Sequence, residues 1–135
     1  MRIVLDSNVL VSALLSPNGV PAAVLQLVLA GRVVLCLDAR IVSEYREVLR
    51  RAKFGFGTRL IDELLEFLES EGELVASVPL SLPDPGDAMF LEVAAAGGAD
   101  HVVSGNLRHF PMRECRGVSV LSPRGFLEIV IGERE

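Results

Sequence analysis

MRIVLDSNVLVSALLSP, residues 1–17, runs from a short apolar segment (Arg2 to Leu5) straight into Asp6, Ser7 and Asn8, and then into a second apolar run. Ile3, Val4 and Leu5 follow one another without polar–apolar alternation. That is the composition of a strand covered on both faces, as in a parallel sheet. Asp6 then falls at the carboxyl end of the strand, where open parallel sheets bind their ligands. Its bland reading is a helix N-cap. Ser7 or Asn8 caps equally well, so capping alone does not demand Asp6.

The pattern recurs along the chain. Further strands are expected at "VVLCL" (33–37), "LVASV" (74–78), "HVVS" (101–104) and "VSVL" (118–121). Helical patterns lie between them. "VPAAVLQLVLAG" (20–31) has Pro near its start and Gly at its end. "RLIDELLEFLESEG" (59–72) places Leu60, Leu64 and Leu68 on one stripe, with Ile61 and Leu65 beside them and Gly72 as terminator. "DAMFLEVAAAGG" (87–98) and "SPRGFLEIVI" (122–131) are shorter. The Pro- and Gly-rich 78–87 reads as a loop. This βα alternation predicts one domain over 1–135, a three-layer α/β/α sandwich with a parallel sheet of four or five strands.

Composition narrows the classes. The chain has 135 residues, half of them hydrophobic, and a net charge of −5. That size supports a real core, and the acidity disfavours broad coating of nucleic acid. Twelve of the thirteen basic residues are Arg, so local phosphate contacts stay open. Cys36 and Cys115 are far apart, which fits neither a disulfide framework nor a zinc site. Cys36 reads as a buried thiol. The N-terminus does not read as a signal peptide, and no apolar stretch has bilayer length. A cytoplasmic location is the expectation.

Other acidic and amide positions also fall after strands. Glu44 lies in the helix after the second strand, at the edge of an apolar face of Ile41, Val42, Tyr45, Val48, Leu49 and Ala52. Its bland reading is a surface pair with Arg40. Glu47 sits further out, four residues before Arg51, as half of a solvated pair. In "DPGDAMFLEVA", Asp84 suits the N-cap, Pro85 N1 and Asp87 N3. Asp87 is the preferred ligand of the two acids. Asn106 follows "VVSG" and is either a turn residue or an amide-oxygen ligand. His109 has no His/Cys set around it, so its role would be phosphate contact beside Arg108.

Carboxylates from separate strands do not converge without a counter-charge, because repulsion raises their pKa values. An oxygen-only set points to Mg²⁺ or Mn²⁺. Such an ion polarises a phosphoryl oxygen and lowers the pKa of a water. No Ser/His/Asp set or Walker loop competes. The residues alone therefore suggest a metal-dependent phosphoryl hydrolase and go no further.

"IVLDSNVLVSALLSP", "VSEYREVL" and "DPGDAMFLEVAAAGGADHVVSGNLRHFP" together resemble a PIN domain, closest to the bacterial toxin–antitoxin toxin components related to VapC-type toxins. The resemblance covers nearly the whole chain in order. It implies a Mg²⁺- or Mn²⁺-dependent endoribonuclease, often homodimeric and commonly restrained by an antitoxin. It also places the family's acidic positions on Asp6, Glu44 and Asp87 as metal ligands, with Asn106 in the fourth, often Asp. Ser7, Asn8, Arg46, Ser104 and Arg108 are the expected substrate contacts, with Arg50 and Arg51 as further candidates. Two departures stand out: Asn106 is neutral, and Gly86 sits where relatives often carry Asp. They motivate a rival reading, a catalytically silent PIN-like module that binds RNA or protein. A second rival, a haloacid-dehalogenase-type phosphohydrolase, wants an Asp at position 8, where Asn stands.

Overall fold

The apolar runs become strands because their consecutive side chains are buried on both sides. In a computed structural model of the chain, Ile3, Val4 and Leu5 are each fully buried although successive strand residues face opposite ways. Both faces of the sheet are therefore covered. The structure describes residues 1–76, 85–110, 114–115 and 118–134; the side chains of 85–87, 109, 114–115 and 133–134 lie outside that description.

The strands are β1 (Arg2–Leu5), β2 (Val34–Leu37), β3 (Glu73–Leu74), β4 (His101–Val103), β5 (Glu114–Cys115) and β6 (Val118–Leu121). They form one sheet in the order β3-β2-β1-β4-β6-β5. Five strands are parallel, with Ile3 registered against both Leu35 and His101, and β5 adds an antiparallel edge to β6. β1 is central, so its carboxyl end lies between the ends of β2 and β4. The α/β sandwich anticipated from the sequence is the observed fold.

Among the described residues six helices complete it: α1 (Ser7–Leu15), α2 (Val20–Leu29), α3 (Ala39–Leu49), α4 (Thr58–Glu71), α5 (Pro85–Ala96) and α6 (Pro123–Arg134). Short 3₁₀ turns occupy Ala52–Phe54 and Leu107–His109. α5 packs on β1, β2 and β4 and also meets α3, while α1 lies against α2 and α3. Among the described residues, no single helix is long and apolar enough to cross a membrane.

Some boundaries differ from the sequence reading. β3 is only Glu73–Leu74, and residues 77 and 78 of the expected strand lie outside the described residues. β5 was not anticipated; two residues carry no periodicity. α5 starts at Pro85, the N1 position expected of it from its fixed φ, so residues 85–87 of the expected loop are helical; residues 78–84 of that loop are outside the description. α3 stops at Leu49, so Ala52 leaves the apolar face and is exposed. On α4 the buried stripe is Ile61, Leu65 and Leu68, whereas Leu60 is 48% exposed. The stripe was rotated in the sequence reading because α4 carries more leucines than its contact face needs. Cys36 is fully buried as expected, and burial pushes its thiol pKa up.

Candidate active site

Two aspartates follow neighbouring strands in the same position, and the structure treats them differently. Asp38 follows β2 and caps α3, its Oδ1 accepting from the Ile41 N–H at 2.9 Å. Asp6 follows β1 and stands at the N-cap of α1, yet its side chain makes no capping bond. Its carboxylate instead accepts from the Ser104 hydroxyl at 2.7 Å. Asp6 is 7% exposed. A buried carboxylate that forgoes its local capping role is held for some other purpose.

Ser104 directly follows β4, the neighbour of β1, and is fully buried. Its hydroxyl also accepts from the Asn106 N–H at 3.0 Å. The Asn8 amide oxygen accepts from the Gly105 N–H at 3.0 Å. The start of α1 and the loop beyond β4 are thus tied together by the side chains of residues 8 and 104. Asn106 in turn caps the 3₁₀ turn, accepting from the Arg108 N–H at 3.2 Å. Ser7 is 4% exposed, and its hydroxyl is buried without a hydrogen-bond partner among the described residues.

Glu44 is half-buried on α3. Burial pushes its carboxyl above the usual range; the charges of Glu47 and Asp6 push the same way, against Arg51. Asp6 and Glu44 therefore feel one another across the β1–α3 boundary. Tyr45, next to Glu44 in the chain and fully buried, donates to the Leu5 carbonyl at 2.6 Å and fastens α3 to the end of β1. Glu47 pairs with Arg51 at 3.4 Å, as expected for a solvated pair. The suggested partner of Glu44, Arg40, directs its guanidinium to Asp38 and Glu92.

The other sequence candidates divide. Asp87 is the third residue of α5, in helical register with buried Leu91 and Ala94, and its side chain lies outside the described residues. Asp84 lies outside them altogether, as does the His109 side chain. Arg108 is exposed beside Asn106. Arg46 is not brought to the site: it stands about 200° around α3 from Glu44. It faces Glu69 of α4 at 4.0 Å and lines a groove with Val42, Leu74 and Val75. Arg50 pairs with Asp62 at 3.1 Å, on the same side as α4.

Glu92 and Asp38 went unremarked in the sequence. Glu92 is 4% exposed in the middle of α5. Its signal was a single carboxylate in the apolar "AMFLEVAAA". For Asp38 the signal was a repeat of the β1 pattern, "VLCLDARIV" after "RIVLDSNVL".

Among the described residues, no three His, Cys, Asp or Glu side chains are grouped to hold a metal ion. The donors present nevertheless suit a hard cation. Asp6, Glu44, Ser104 and Asn106 offer oxygen only, the preference of Mg²⁺ and Mn²⁺. Burial is the main cause that raises Glu44, and the smaller repulsion from Asp6 is of the kind a divalent cation relieves.

A family model described as PIN domain matches residues 2–108. No curated protein and no solved structure matches the chain. The matched span begins with β1 and ends just beyond Asn106, so it contains every acidic position of the site.

Proposed function

The chain belongs to the PIN domain family, whose members are generally nucleases, and on that premise we propose that it is a Mg²⁺- or Mn²⁺-dependent ribonuclease hydrolysing phosphodiester bonds of single-stranded RNA. One observation carries the reading. Asp6 is buried at the carboxyl end of the central strand, turned from capping to Ser104, and electrically coupled to Glu44.

Asp6, Glu44 and Asp87 would hold the cation, and Asn106 would help orient it. When bound, a hard divalent cation supplies Lewis acidity at a phosphoryl oxygen and lowers the pKa of water. The chain's own residues do the rest. Ser104 fixes the Asp6 carboxylate, and Tyr45 fixes the turn of α3 that carries Glu44. Asn8, half-buried in the first turn of α1, would meet the RNA backbone, while Ser7 and Ser104 are buried and would act from beneath the surface. Arg108, exposed beside Asn106, would meet a phosphate. Arg46 is the least suited of the proposed substrate contacts, since it lies on the far side of α3.

The finer parts of the proposal are a role as toxin component of a toxin–antitoxin pair, a homodimeric state and action in the cytoplasm. A second reading, a catalytically silent PIN-like module binding RNA or protein, draws on Asn106, whose amide oxygen already serves the Arg108 N–H. Mn²⁺-dependent cleavage of a mixed single-stranded RNA pool separates the two readings. The wild-type chain is expected to cleave and Asp6→Asn is not. Equal cleavage by both proteins, or by neither, overturns the nuclease reading.

A further inference from the structure

α5 is buried almost all round: Phe90, Leu91, Val93 and Ala94 are all in the core, and Glu92 lies among them. A carboxylate in such a place demands a partner. It has one in Arg40 of α3, whose Nη1 donates to Glu92 Oε1 at 2.7 Å across 52 residues of sequence. The same guanidinium reaches back to Asp38, with Nε and Nη2 at 3.0 and 2.9 Å from one carboxylate oxygen. Asp38 is itself bonded to the first turn of α3. A planar fork can bridge two carboxylates in this way, and a lysine ammonium cannot reproduce that geometry.

We infer that Arg40 is a positioning residue that clamps α3 to α5 through Glu92 and so sets the spacing of residues 44 and 87 around one cation. The inference rests on the nuclease reading. Glu44 lies four residues, about 6 Å, along α3 from Arg40, and residue 87 lies five residues, about 7.5 Å, along α5 from Glu92. Along the helix axes the clamp is therefore within about one and a half turns of both positions, with residue 87 about 140° around α5 from Glu92. The pair is buried at its Glu92 end and half-exposed at Arg40; such a pair contributes little net stability, and the best-attested use of buried ionic groups is to fix one arrangement among several. Here the arrangement fixed is that of the two helices that bring acidic residues to the ends of β1 and β4.

The test compares the full chain with Arg40→Gln, Arg40→Lys and the double variant Arg40→Gln with Glu92→Gln. Mn²⁺ binding is measured by calorimetry on the protein alone, with thermal unfolding alongside. RNA KM and kcat are measured at saturating Mn²⁺. The Gln variants are expected to weaken Mn²⁺ binding by about tenfold or more, as lost outer partners of metal ligands do. Arg40→Lys should fall between them and wild type, and RNA KM at saturating Mn²⁺ should stay unchanged. The double variant removes the buried Glu92 charge together with its partner, so it carries the test even where Arg40→Gln fails to fold. Wild-type Mn²⁺ affinity in the folded variants overturns the clamp, as does a raised RNA KM with Mn²⁺ binding intact, which marks direct phosphate contact. A wild-type protein that binds no Mn²⁺ overturns the nuclease reading together with the clamp; normal wild-type binding matched by every variant overturns the clamp alone.

Discussion

The hydroxyl of Ser104 donates to the carboxylate of Asp6 across 98 residues of sequence, at 2.7 Å, and both side chains are buried. Two adjacent parallel strands end together, and the residue just past β4 grips the residue just past β1. The same hydroxyl receives the Asn106 N–H, so one oxygen organises the acid and the loop beside it.

Replacing Ser104 with Ala removes that donor and that acceptor at once. The protein should lose about 1–3 kcal/mol of unfolding free energy, the usual cost of orphaning buried polar groups. Urea denaturation reads the loss, and coincident curves for the two proteins would contradict it. Mn²⁺ binding should weaken in parallel, because Asp6 then loses the hydroxyl that orients its carboxylate.

Glu44 has a folded pKa above its ordinary value, from burial and from the charges of Glu47 and Asp6. The folded state thus favours the protonated acid. The stability this confers is fully present below the unfolded carboxylate pKa of about 4.3 and is lost as pH rises through the folded value. At neutral pH the charge therefore works against folding. Glu44→Gln should melt higher than wild type at pH 7 without divalent cation, and the gap should close near pH 4. Added Mn²⁺ should raise the melting temperature of wild type and leave the variant unmoved. A variant that melts lower at pH 7 would refute this account, and Glu44→Gln is expected to be inactive whatever its stability.

Tyr45 anchors α3 to the Leu5 carbonyl, and burial, with the charge of Asp6, pushes its phenol pKa up. Tyr45→Phe keeps the ring in the core and removes one buried hydrogen bond, at a cost of about 1 kcal/mol. The raised pKa keeps the phenol neutral in the folded protein. That contribution holds below the unfolded value of about 10 and is lost as pH climbs above it. The wild-type advantage over Phe should accordingly shrink in alkali, a trend that paired denaturation curves at pH 8 and pH 11 detect. A constant difference would rule out the phenol as its source.

Gly72 ends α4 and leads into β3. A Cβ there would stand 2.5 Å from the Leu68 carbonyl oxygen and 2.9 Å from that of Leu35. Backbone atoms on both sides leave little room to yield. Gly72→Ala is expected to lower stability by about 1–3 kcal/mol, as overpacking does. Thermal unfolding checks it; an unchanged midpoint would mean that the α4–β2 junction relaxes freely.

Much of this molecule was legible in its sequence. β1 and β6 fall on their expected residues, and α2 and α4 lie within two residues of theirs, because runs of buried Val and Leu and helical stripes are local signals. Gly72 shows the limit: its place at a helix end was readable, while the carbonyl oxygens crowding it come from α4 and from β2, 37 residues away in sequence. Asp6 was singled out by its position after a strand, and Asp38 was passed over although its position is the same. What divides them is that one caps its helix and the other is claimed by Ser104.

The sequence by itself determined the alternation of strands and helices, the burial of both sheet faces and the acids at strand ends, since each depends on neighbours within a few residues. Only the tertiary structure decided which acid serves a cap, which basic residue stands near the site and which stands behind it. Arg46 turns to α4, and Arg40 reaches through to the buried Glu92 of α5. Such choices depend on which strands and helices become neighbours, and hydrogen bonds across 52 or 98 residues leave no periodicity in the chain that makes them.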